Sequence, residues 1–184
     1  MREQFQAVLG VLLRPKATMQ ALPTARVYVL AILAPMYFGI ARAFRPRYHA
    51  LLVEKLGGNW QIVVAVSILA LVMIPVGAWL WRQFLKLFKK RLSVRKLMNI
   101  NGYSHVPRLL VAAIGYVLMW LNPSMFASEQ PTPGLVAIIA LGCLGIAYTL
   151  YLYIYGIVVS PSEERDAANN EPEDAGRSLA GAQQ

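Results

Sequence analysis

The residues of this chain best placed for chemistry are cations. Between Arg82 and Arg108, a connecting segment flanked by two long apolar runs, stand eight of the eighteen Lys and Arg residues. Ammonium and guanidinium groups beside apolar stretches attract anionic lipid headgroups or an acidic partner surface, and they also set which side of a membrane a loop faces. Lys86, Lys89, Lys90, Arg91, Arg95 and Lys96 are the candidate contacts. Topology setting is the plainer reading of this charge and specific binding the sharper one. Nucleic acid is not an expected partner, because no nucleic-acid module signature accompanies the basic residues.

Catalytic chemistry has little material. His49 and His105 are the only histidines, and neither has a second His, Cys or carboxylate at ligand spacing, so no metal site is expected. No serine stands in a nucleophile-elbow pattern. Cys143 is the only cysteine, which rules out an internal disulfide. Trp60 to Trp81 and Leu135 to Val159 contain no Asp, Glu, Lys, Arg or His, and the other two apolar runs carry charge only near their ends. Buried charge is expensive in a bilayer and usually marks a transport pathway, so a single-chain proton-coupled carrier or ion pump is not expected. No catalytic residue and no cofactor are expected, and the chain reads as a non-enzyme.

The elements that must position the cations are membrane helices. The chain has 184 residues, 57% of them hydrophobic and only 15% charged, whereas a soluble domain carries about 25% charged residues. Its net charge of +9 hides an uneven distribution, because six of the nine acidic residues lie from Glu163 onward. The pattern predicts an all-α, polytopic helical bundle of four transmembrane helices. A short N-terminal amphipathic helix precedes the bundle and a polar, acidic, disordered tail follows it, giving segments 1–24, 25–160 and 161–184. Phe5, Val8, Leu9 and Leu12 recur at helical spacing in the first segment, which suits either a membrane-surface helix or a cap on the bundle. The run after Met1 breaks at Arg14-Pro15-Lys16 instead of ending in a cleavage site, so the N-terminus is expected to be retained.

The four apolar runs are Val27 to Phe44, kinked at Pro35; Trp60 to Trp81; Val106 to Leu121; and Leu135 to Val159. The second, at about 1.5 Å per residue, matches a hydrocarbon core of about 30 Å. The third covers only about 24 Å and must recruit flanking residues or thin the bilayer. A Pro-rich turn, Gln130 to Gly134, precedes the fourth. Counted by segment, Lys and Arg number four, four, eight, none and two along the chain, so alternate sides hold fourteen and four. The positive-inside rule then places both termini and the basic loop in the cytoplasm, with Arg42, Arg45, Arg47 and Lys55 opposing the trend.

Two faces invite packing. In the fourth run Gly142, Gly145, Thr149 and Gly156 form a small stripe and Tyr148, Tyr151 and Tyr155 an aromatic one, which suits helix packing within the bundle or self-association. In the basic loop, Phe84, Leu87, Phe88 and Leu92 could oppose Lys86, Lys89 and Lys90 as a basic amphipathic extension of the second span.

The loop also carries a resemblance. Leu92-Ser93-Val94-Arg95-Lys96-Leu97 followed by Asn101-Gly102-Tyr103-Ser104-His105-Val106-Pro107-Arg108-Leu109-Leu110 resembles the junction before a helix in the bacterial branch of the Yip1 family. Tyr148 to Gly156 running into Ser160-Pro161-Ser162-Glu163-Glu164-Arg165 is similar to the family's Tyr/Leu-rich helix and its following turn. Leu13-Arg14-Pro15-Lys16 is similar to its approach to the first span. The resemblance covers roughly residues 8 to 165 and implies a small integral membrane protein without known enzymatic chemistry. Members usually have five spans, and here the polar tail begins where the fifth would start. Gly102, Tyr103 and Pro107 read as a turn that returns the chain to the membrane. Gly102 would supply backbone freedom, Pro107 a helix start and Tyr103 an interfacial ring.

Together these features point to an inner-membrane interaction or membrane-organising module. Its expected partners are membrane lipids, including anionic headgroups, and an unidentified membrane protein or a second copy. An oligomeric permeation or transport subunit is the alternative.

Overall fold

A computed structural model describes residues 2–122 and 132–162. Among the described residues the secondary structure is all helical: α1 (Arg2–Leu13), α2 (Pro15–Ala21), α3 (Leu30–Ala43), α4 (Pro46–Leu56), α5 (Asn59–Leu87), α6 (Val94–Ser104), α7 (Val106–Leu121) and α8 (Pro133–Val159). Gln130 and Pro131 of the Pro-rich turn and nearly all of the expected tail lie outside them.

Proline and glycine punctuate the helices where backbone chemistry requires it. Pro15, Pro46, Pro107 and Pro133 each stand in the first turn of a helix, where the missing N–H would have no partner anyway. Gly57 ends α4 with φ 98°, a left-handed conformation that suits glycine. Thr132 caps α8 by accepting from the Leu135 N–H at 3.2 Å.

Three helical runs are long and apolar enough to cross a membrane: α5, the run Val94–Leu121 formed by α6 and α7, and α8. The fourth expected span is shorter than its apolar run. The 14 residues of α3 cover only about 21 Å, and Pro35 sits inside it. The chain is thus a helical membrane bundle of three long apolar helices and one short one.

The centre of the bundle is α6, which packs on α1, α3, α5 and α8. Its Leu97, Ile100 and Tyr103 are fully buried and join Val11, Met19, Ala31, Leu92 and Leu152 in one core. The short third span therefore recruits the eleven residues of α6, a stretch that hydropathy alone assigns to the cytoplasmic loop. At its N-terminus, Ser93 caps α6 by accepting from the Lys96 N–H at 3.2 Å.

The N-terminal helices cap the bundle from one side. Val11 of α1 is buried, with Ala7, Val8 and Leu12 packed against the core, while Phe5, Leu9 and Leu13 face outward. Both expected roles of this helix thus have a face available.

Gly102 corrects its expected role. It lies within α6, not in a turn, and a Cβ there would meet Ala31 N at 2.7 Å and Leu30 O at 2.8 Å. The absent side chain lets α3 lie against α6, and the chain bends at Ser104-His105 instead, just before Pro107. Tyr103 is not interfacial either. Its ring is buried edge-on to Tyr28, at 5.7 Å and 62°, with its hydroxyl donating to Gln4 O at 3.4 Å.

The small stripe of α8 is used within the chain at two of its positions. Gly145 lies against Val111 and the Arg108 Cα, at 3.4 and 3.7 Å from an added Cβ, and Gly156 against Ile100 and Met19, whereas Gly142 faces open space. Thr149 donates to Gly145 O at 2.8 Å. Tyr148, Tyr151 and Tyr155 stack along the helix at 5.8 and 5.4 Å.

Candidate functional site

The end of α5 decides how the basic segment is displayed. Helix α5 stops at Leu87, and the Lys89 N–H bonds to Lys86 O at 3.0 Å while the Lys90 N–H bonds to Leu85 O at 3.1 Å. This double closure needs a left-handed residue between the two turns, and Lys89 supplies it at φ 56°. The chain then reverses through Lys90-Arg91-Leu92 into the Ser93 cap. The expected amphipathic extension therefore does not continue. Phe84, Leu87 and Phe88 are exposed on α5 and its cap, whereas Leu92, beyond the break, is buried in the core.

The reversal sorts the six candidate cations into two groups. Lys86, Lys89 and Arg91 join Arg82 around a concavity of about 580 Å³. The Lys86 ammonium donates to Gln83 Oε1 at 2.9 Å, and the Arg91 backbone is tied to Ser162, whose hydroxyl accepts from Arg91 N at 3.1 Å. Among the described residues, Arg82, Lys86 and Lys89 form no ion pair. Like charges gathered at one surface raise the local potential and favour an anion.

Lys90, Arg95 and Lys96 turn to internal backbone instead. The Lys90 ammonium donates to Val158 O at 2.6 Å, where the last turn of α8 leaves carbonyls without helical partners. Burial pushes its pKa below the ordinary lysine value. Arg95 donates to Ala25 O. Lys96, only 3% exposed, donates to Gln20 O at 2.7 Å and also to Leu22 O. It stands inside the protein, away from any lipid surface.

Asn99, one turn after Lys96, completes this arrangement and was not singled out from the sequence. Its carbonyl oxygen accepts from Tyr28 N at 2.8 Å, and its amide donates to Pro23 O at 3.0 Å and Arg26 O at 2.9 Å. Arg95, Lys96 and Asn99 thus hold the strap between α2 and α3 by its backbone. A signal existed in the sequence: Lys96 and Asn99 stand at i and i+3, and Ile100 and Tyr103, four residues after each, share their helix face, so the polar pair belongs to an apolar face.

The histidines have ordinary structural partners. His49 Nε2 is 2.7 Å from Asn59 Oδ1, and His105 Nδ1 is 2.9 Å from Asn101 O. Among the described residues, no group of three His, Cys, Asp or Glu side chains could hold a metal ion.

Comparison with known proteins adds one result. A family model described as Yip1 domain matches residues 9–168. No curated protein and no solved structure matches the chain.

Proposed function

We propose that this chain, which belongs to the Yip1 domain family, is a non-enzymatic membrane module that gathers anionic lipid headgroups at the end of α5. The observation that carries the reading is the concavity of Arg82, Lys86, Lys89 and Arg91. Phe84, Leu87 and Phe88 stand beside it, with Leu87 78% exposed. Cations rimmed by exposed apolar side chains suit a leaflet surface, where the apolar groups enter the acyl boundary and the ammonium groups meet phosphates.

The charge asymmetry supports the orientation. Leaving out Arg95, Lys96 and Arg108, which fall within the run Val94–Leu121, eleven Lys and Arg residues stand on alternate segments against four, so the concavity and both termini face the cytoplasm, and a bacterial inner membrane is the proposed location. Lipid gathering would make the module an organiser of its surroundings, and protein partners would meet it at the same surface.

The test places the full chain in nanodiscs of phosphatidylcholine with graded phosphatidylglycerol. Retained lipids are counted by native mass spectrometry for the wild type and a triple variant, Arg82→Gln, Lys86→Gln, Lys89→Gln. Enrichment of phosphatidylglycerol by the wild type and its loss in the variant support the reading, and equal enrichment by both rejects it. Solute flux through liposomes containing the wild type would replace it with the permeation alternative.

A further inference from the structure

A second group of cations lies at the opposite end of the α3–α5 hairpin, and the proposed function makes no use of it. Arg42 ends α3, Arg45 precedes α4, and Arg108 stands in the first turn of α7. With Phe38, Gly39 and Ala41 they line a cavity of about 300 Å³. The concavity at Arg82 and Lys86 lies toward the other end of the 29-residue α5, and Arg82 is about 24 Å along the helix from Val66, which faces Gly39.

Arg108 is unusually deep. It stands midway along the 28-residue apolar run Val94–Leu121. Its Cα faces Gly145, near the middle of α8, where an added Cβ would lie 3.7 Å from it. An ionisable group at such a position in a spanning helix is expensive and calls for a partner. The usual partner would be a carboxylate, but among the described residues neither Arg108, Arg42 nor Arg45 forms an ion pair. The Arg108 guanidinium instead lies 3.9 Å from the centroid of the Phe38 ring, a cation–π contact that fixes its direction.

That direction leads toward like charge. Arg45 is close enough to Arg108 for the two to repel, and Arg42, held over the Tyr48 ring at 5.6 Å, completes the group. Three guanidinium groups converging on one small cavity form a stable arrangement when an anion stands between them. Each offers a planar fork of donors that matches the oxygens of a phosphate.

The geometry points to a phosphate-binding pocket formed by Arg42, Arg45 and Arg108 over Phe38, which takes a phosphate group whose negative charge is not neutralised by an ammonium of its own, borne either by an anionic lipid headgroup or by free inorganic phosphate. This gives Arg42 and Arg45, which oppose the positive-inside trend, a local reason for their positions. The inference does not depend on the lipid-gathering role at the other end of α5.

The experiment uses the full chain purified in detergent, with phosphatidylglycerol, phosphatidylcholine and inorganic phosphate as separate probes read by native mass spectrometry and thermal melting. The wild type is expected to retain phosphatidylglycerol in preference to phosphatidylcholine, or to melt higher in inorganic phosphate. The first result assigns a headgroup, the second a soluble phosphate, and both together assign the phosphate group itself. Arg42→Gln, Arg45→Gln and Arg108→Gln, each made in the Arg82→Gln, Lys86→Gln, Lys89→Gln background so that the concavity at the end of α5 contributes nothing, should each weaken that binding by about tenfold or more against the background alone. Arg45→Gln guards against a folding artefact. Without ligand it should melt no lower than the wild type, because it relieves repulsion. A wild type that binds neither anionic probe, variants that bind as their background does, or a ligand-free fall in melting temperature for Arg45→Gln would each overturn the site.

Discussion

Gly102 rests directly on the backbone of Ala31, so close that a methyl group at position 102 would stand 2.7 Å from Ala31 N and 2.8 Å from Leu30 O. The obstructing atoms are main chain, which cannot rotate aside as a side chain does. The α3–α6 contact, and with it the seat of the strap before α3, depends on this missing Cβ.

Gly102→Ala should therefore force α3 and α6 apart. Overpacking of a close-fitting site costs about 1–3 kcal/mol, sometimes more, and a helix position would otherwise favour alanine by about 1 kcal/mol. The expected outcome is a clear fall in melting temperature in detergent. A rise would show that glycine serves no packing role here.

Asn99→Leu should release the strap. It orphans the buried Tyr28 N–H, at a cost of about 1–3 kcal/mol, and leaves the part-buried carbonyls of Pro23 and Arg26 without their donor. Trypsin cleavage after Arg26, an exposed residue in that strap, should accelerate well beyond cleavage after Arg82. Equal changes at both sites would mean general unfolding in place of local release.

Lys89→Gly should stabilise the protein. At φ 56° a side chain costs about 1 kcal/mol that glycine avoids. The substitution also removes one cation of the basic concavity while keeping the backbone turn that forms it. Unfolding in denaturant should shift upward by about that amount, and Lys89→Val, with a branched side chain in the same conformation, should shift it downward.

Lys96→Met and Lys86→Gln should differ sharply although both are loop cations in sequence. Losing the Lys96 ammonium strips two carbonyls of their donor, for a loss of about 2 kcal/mol or more. Lys86, on an exposed helix surface, should change stability by less than about 0.5 kcal/mol. Thermal melting of the two single variants checks the contrast, and similar losses would refute the inward placement of Lys96.

Much of the bundle was legible along the chain. Helix positions followed apolar runs, and Pro107 marked the start of α7. Lys86, Lys89 and Arg91 were also chosen from the sequence and do meet at one concavity. What the sequence did not reveal was the burial of α6. Its polar residues, Lys96, Asn99 and Ser104, look like a solvated loop until their partners are known, and Arg108 looks like the edge of a span until α6 is joined to α7.

The amino-acid sequence by itself determined that this is a helical membrane protein with its charge concentrated on alternate loops, because transfer into a bilayer depends on each residue and its near neighbours. Only the tertiary structure decided which cations face outward and which hold the backbone of a distant strap. The bonds from Lys96 to Gln20 and Leu22 and from Asn99 to Tyr28 join residues more than seventy positions apart. The convergence of Arg42, Arg45 and Arg108 likewise depends on the packing of α3 beside the α6–α7 bend, a relation that no local pattern of hydropathy or charge encodes.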